Sequence, residues 1–75
     1  MKVTKYTVAG SSGVNINGSG IVNVISSKSY TYLEVDGLKY TAPEINTFYL
    51  FESNLKIYSD DIRLYEIVAT VGLFN

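Results

Sequence analysis

The side chains with chemical reach in this 75-residue chain are seven acids, six bases and seven tyrosines, and there is no His, Cys or Trp. The missing types exclude thiol nucleophiles, imidazole general bases, Cys/His zinc sites and thiol redox chemistry. The densest acidic spot is Asp60-Asp61, with Glu52 or Glu66 as a third oxygen donor for Ca²⁺ or Mg²⁺. The spacing is not that of an EF-hand loop, and adjacent acids at a turn are ordinarily solvated. Acid/base hydrolysis of a glycoside needs two carboxyls flanking a cleft, which a chain this short does not form alone. The Gly10-Ser11-Ser12-Gly13 and Gly18-Ser19-Gly20 stretches lack the Gly-Lys-Ser/Thr ending and following helix of a phosphate-binding loop. Asn17-Gly18-Ser19 fits a glycosylation sequon but reads as a turn. The expectation is a protein without catalytic residues, cofactor or metal.

Lysine and tyrosine do interleave: Lys5-Tyr6, Lys28 with Tyr30, Lys39-Tyr40, Lys56 with Tyr58. Bases can stack on such rings along a positive groove. Yet the net charge is −1, which is no footprint for nucleic acid. No apolar stretch approaches the ~20 residues of a membrane helix. No apolar segment follows Lys2 and Lys5, so no signal peptide is expected, and the expected setting is a virion or a host cytoplasm.

The elements that would position these groups are β-strands. Thr, Tyr, Val and Ile alternate with polar residues, and Gly, Asn, Asp and Ser punctuate them. The pattern predicts one domain over residues 1–75, all-β, a small antiparallel sandwich or barrel of about six to eight short strands. Strands are expected at 2–8, 14–16, 20–26, 30–35, 38–42, 47–51 and 55–59. Asn17-Gly18 has the residues of a two-residue hairpin turn. So does Asp36-Gly37, where a type I′ turn pairs Val35 with Leu38, Glu34 with Lys39, Leu33 with Tyr40 and Tyr32 with Thr41. That register gathers the apolar residues on one face and sets Glu34 against Lys39 on the other. Thr47 to Phe51 is apolar on both faces, as in a strand covered on both sides. Residues 62–71 read as a strand on their β-branched and aromatic content, with a C-terminal helix over 61–71 as the alternative.

Energetics point to partners. Size scaling gives a folded surface of roughly 4,600 Å² against roughly 12,000 Å² unfolded. Apolar burial then contributes on the order of 110 kcal/mol, and conformational entropy costs about the same. Tyrosine offers large area and a polar tip and is enriched at interfaces. Tyr30, Tyr32, Phe48, Tyr49, Phe51 and Tyr58 are therefore the expected interface residues of a homo-oligomer or of a complex with a larger protein. The segments YTVAGSSGVNINGSG (from Tyr6), YTYLEVDGLKYTAP (from Tyr30) and FYLFESNLKIYS (from Phe48) resemble the small β-rich accessory proteins of tailed bacteriophage particles, such as capsid decoration proteins and head or tail fittings. The resemblance implies a non-enzymatic structural protein, oligomeric and bound to a capsid or tail lattice. The alternatives are a phage-encoded inhibitor that sequesters a host defence protein or a small nucleotide, using Lys28, Lys39 or Arg63 beside tyrosines, and a single-strand-binding barrel.

Overall fold

A computed structural model describes residues 1–60 and 63–74. It contains eight strands: β1 (Val3–Ala9), β2 (Gly13–Asn17), β3 (Gly20–Ser26), β4 (Thr31–Val35), β5 (Leu38–Thr41), β6 (Phe48–Phe51), β7 (Asn54–Ser59) and β8 (Glu66–Leu73). They form two four-stranded antiparallel sheets, ordered β1-β8-β3-β6 and β2-β7-β4-β5. The fold is thus an all-β sandwich. The C-terminal segment is strand from Glu66 onward, not helix; its β-branched run of Ile67, Val68, Thr70 and Val71 suits a pleated surface better than a helix turn. Asp61 and Ile62, at the start of that segment, lie outside the described residues.

Alternation sorts each strand into an inner and an outer face. Val8, Val22, Val24, Phe51, Ile67, Ala69 and Val71 from the first sheet meet Leu33, Leu55 and Ile57 from the second in one core. Gly20 makes room for the largest of these side chains. A Cβ there would stand 2.2 Å from the Gly72 carbonyl oxygen and 2.9 Å from the Phe51 ring.

The β4–β5 hairpin has the register its turn dictates, from Val35↔Leu38 to Tyr32↔Thr41. Asp36 and Gly37 both carry positive φ, 51° and 88°, as a type I′ turn requires. Asn17-Gly18, in contrast, is not a hairpin. Residues 13–23 and 48–58 form one long ladder whose register is constant from Gly13↔Tyr58 and Asn17↔Asn54 to Gly20↔Phe51 and Asn23↔Phe48. The Gly18 N–H donates to the Ser53 carbonyl at 2.9 Å, midway along. The ribbon bends at Gly18-Ser19 and Glu52-Ser53, and each of its strands passes from one sheet to the other there, as strands do at sandwich corners. Gly18, at φ 136°, takes a conformation open essentially to glycine.

Asp36 holds this corner. Its carboxylate accepts the backbone N–H groups of Glu52 (2.8 Å), Ser53 (2.8 Å) and Asn54 (2.9 Å) and the Ser53 hydroxyl (3.0 Å). The Asn54 side-chain amide then donates to the Oδ1 atoms of Asn15 (2.7 Å) and Asn17 (3.0 Å). Three turns from distant parts of the chain are thereby tied together at one end of the sandwich.

Candidate interaction surfaces

Both sheets have an outer face, and the two differ in chemistry. On the β2-β7-β4-β5 sheet the outward positions are Gly13, Asn15 and Asn17, then Asn54, Lys56 and Tyr58, then Tyr32 and Glu34, then Lys39 and Thr41. The Tyr32 and Tyr58 rings stack with centroids 5.0 Å apart, and the Lys39 ammonium stands 4.3 Å above the Tyr32 ring. Tyr58 donates its hydroxyl to Glu34 at 2.9 Å. Burial, and then the negative Glu34 carboxylate, push the Tyr58 phenol up to about 12. Glu34 and Lys39 face each other as the hairpin register requires, and each also engages a tyrosine. Because Gly13 has no side chain opposite Tyr58, a shallow hollow of about 330 Å³ opens between Gly13, Asn15, Lys56 and Tyr58.

The outer face of the β1-β8-β3-β6 sheet carries an apolar row beside a more polar one. Across the four strands one row reads Val3, Gly72, Ile21, Leu50, and the next reads Lys5, Thr70, Asn23, Phe48. Phe48 and Leu50 are 64% and 65% exposed, and Val3 is 59% exposed. Exposed Ile25 continues the patch where a bulge shifts the β3 register between Val24 and Ser26. Met1 lies across Gly72, where a Cβ would meet its sulfur. A hollow of about 120 Å³ remains between Val3, Ile21, Asn23, Phe48, Thr70 and Gly72. Asn23 lines it, and the Asn23 Oδ1 is shielded from solvent yet accepts no hydrogen bond. Such an atom calls for an explanation, since buried polar groups are nearly always paired.

The six expected interface residues do not share one surface. Tyr32 and Tyr58 lie on the outer face of the second sheet and Phe48 on that of the first. Phe51 is 1% exposed in the intrachain core. Tyr49 points the same way and packs on Tyr40, with ring centroids 4.8 Å apart. Burial holds the Tyr49 phenol above its usual range. Tyr30 caps the opposite end of the sandwich from Asp36, stacked on Tyr65 at 6.1 Å beneath the Arg63 guanidinium at 4.6 Å. The expectation that residues 47–51 are covered on both sides is corrected: β6 is an edge strand, so Tyr49 and Phe51 are covered and Phe48 and Leu50 are not. Reading by aromatic content missed Val3, Ile21, Asn23, Leu50 and Gly72. Their signal was parity, since Ile21, Asn23 and Ile25 alternate with the core residues Val22 and Val24.

A third opening, of about 390 Å³, lies at the seam between the β1 and β2 edges, lined by Thr4, Tyr6, Ile16, Leu73 and Phe74 among others. Among the described residues no group of three or more acidic side chains is placed to hold a metal ion, and no helix is long and apolar enough to cross a membrane. Comparison with protein-family models, curated proteins and solved structures finds no match.

Proposed function

We propose that this chain is a non-enzymatic interaction protein that associates with itself and, as its resemblance to phage accessory proteins implies, is fitted onto a larger capsid or tail lattice. The observation that carries the reading is the outer face of the β1-β8-β3-β6 sheet, where Val3, Ile25, Phe48 and Leu50 are exposed together. The total accessible surface, 4476 Å², is close to the roughly 4,600 Å² expected of a folded monomer of this size. The molecule therefore does not expose unusual total area; what marks this face is that Phe48 and Leu50, with Ile21 and Val3 in the row of Leu50, are neighbours on one sheet surface. A contiguous apolar patch rimmed by polar groups marks an interaction site. Two measurements test the reading. Sedimentation across micromolar to millimolar concentration should show reversible association, and a monomer throughout overturns self-association. Mass spectrometry of purified particles of a phage encoding the chain should find it in stoichiometric amounts; its absence from particles overturns the virion setting.

The opposite face favours one second reading. Half-buried Tyr58 with Lys56 beside it, at the shallow hollow by Gly13, offers an aromatic wall and positive charge to an anionic ring compound, as the nucleotide-sequestering alternative requires. Thermal shift against a nucleotide panel tests it: saturable stabilisation supports it, and no shift at millimolar nucleotide removes it.

A further inference from the structure

We infer that the outer face of the β1-β8-β3-β6 sheet binds a second copy of the chain about a twofold axis running along β3, so that Phe48 and Leu50 of each copy fill the low ground over Thr70 and Gly72 of the other. This rests on the proposed self-association and specifies its geometry.

The argument comes from strand order. In β1-β8-β3-β6, strand β3 has β8 on one side and β6 on the other, each displaced by about 4.8 Å. A twofold axis parallel to β3, midway between two facing sheets, exchanges those positions. It lays β6 of one copy over β8 of the other without changing height along the strands. Leu50, in the same row as Gly72, then lands on Gly72, and Phe48 lands on Thr70 of its own row. Phe48 thus meets the low position at Thr70, where the hollow is, and Leu50 meets the side-chain-free Gly72 beneath Met1. Met1, which lies across Gly72, is unbranched and can shift to line the contact.

The same axis places Ile21 against Ile21 and Asn23 against Asn23. The Asn23 Oδ1, without a partner in the single chain, then faces an amide donor on the other copy, and the pair can bond reciprocally. Buried asparagines are known to fix register in this way.

Charge selects this axis over others. Lys5 is the one charged side chain in the two central rows, and it lies on β1, at the margin. An axis along β3 leaves the two lysines at opposite rims, roughly 19 Å apart at four strand spacings. An axis between β8 and β3 would bury Lys5 beneath Phe48. An axis across the strands would set β6 on β6, bulk on bulk, and leave β8 unfilled. The overlap of β8, β3 and β6 with their mates measures roughly 14 by 20 Å from strand spacing and rise. Counting both copies gives a plan area of roughly 600 Å², and even with its projecting side chains the pair lies at the small end of interface sizes. That size suits a weak, transient dimer.

The test uses sedimentation velocity and crosslinking on the full chain, with circular dichroism to confirm that each variant folds. The wild type should run as a dimer at high concentration. Phe48→Glu should halve the mass, and Thr70→Lys should weaken association. A mixture of the two variants should recover a heterodimer, because Glu at 48 then faces Lys at 70. The chain lacks Cys, so Asn23→Cys supplies a unique thiol that a short bismaleimide should join to its symmetry mate, while Asn15→Cys on the opposite face should stay uncrosslinked. A monomeric wild type overturns both this inference and the self-association it rests on. Association that survives Phe48→Glu, or crosslinking through Asn15→Cys instead of Asn23→Cys, overturns this geometry alone.

Discussion

Asp36 shows how one residue can serve two elements. Its φ of 51° suits the hairpin turn, and its carboxylate accepts three backbone N–H groups of the distant corner. Those bonds, led by the one from Asn54, hold the carboxyl down at about 2 against an ordinary 3.8. A depressed folded value means that the stabilisation is full above the unfolded value and is lost as pH falls toward 2. Acid unfolding of the wild type should therefore show loss of stability between about pH 4 and pH 2, and Asp36→Asn should flatten that limb. A wild-type acid limb retained in the variant would contradict the assignment. The Asp36-Gly37 turn was legible in the sequence because its chemistry is local. The cap on residues 52–54 was not, since no local pattern says which backbone a turn carboxylate will reach. Tyr58 offers a second test. Its phenol is raised to about 12 by burial first and Glu34 second, so a phenolate absorbance titration should show Tyr58 ionising last, well past pH 10, with Tyr49 also late through burial. Glu34→Gln should lower that midpoint without returning it to the ordinary value.

Strand β6 makes the case at the scale of the element. Four consecutive apolar residues suggested a strand covered on both sides. Its edge position and its pairing with β3 alone instead leave Phe48 and Leu50 open while Phe51 enters the core. The two aromatics should therefore respond differently when the chain is dilute and monomeric. Phe51→Ala should cost about 3–5 kcal/mol in denaturant midpoint, whereas Phe48→Ala should stay within about 1 kcal/mol, as surface changes usually do. Equal costs would show that the outer face is covered within the single chain. Gly20→Ala should destabilise by about 1–3 kcal/mol, because its Cβ would strike the Gly72 carbonyl and not a yielding side chain. The strands themselves were legible from their alternation. In β3 the polar Asn23 marks its set with Ile21 and Ile25 as the outer one and Val22 and Val24 as the inner, a parity signal that a reading by aromatic content passes over.

Among the described residues of the whole molecule there is one local hairpin, β4–β5; every other pair of consecutive strands lies in different sheets. The links at 18–19 and 52–53 are as short as hairpin turns, yet they are corners of one bent ribbon joining residues 13–23 to 48–58. This is why fold class could be read from the chain while topology could not. Asn-Gly favours a positive-φ bend, and a bend serves a corner as well as a hairpin. Such long-range pairing should make folding slow, in the range of milliseconds to seconds; sub-millisecond refolding, followed by tyrosine fluorescence, would contradict the topology. The pairing of the first and last strands bears on a different quantity. β1 meets β8 antiparallel with Val3 opposite Gly72, so both ends of the sandwich's chain leave from the same point. Tension applied between them peels that ladder apart one rung at a time, starting at Val3, and never loads its hydrogen bonds in parallel. A tether through the termini thus finds the weakest direction in the molecule, whereas handles at Lys5 and Lys56, on different strands of different sheets, would load the two sheets across their packed core.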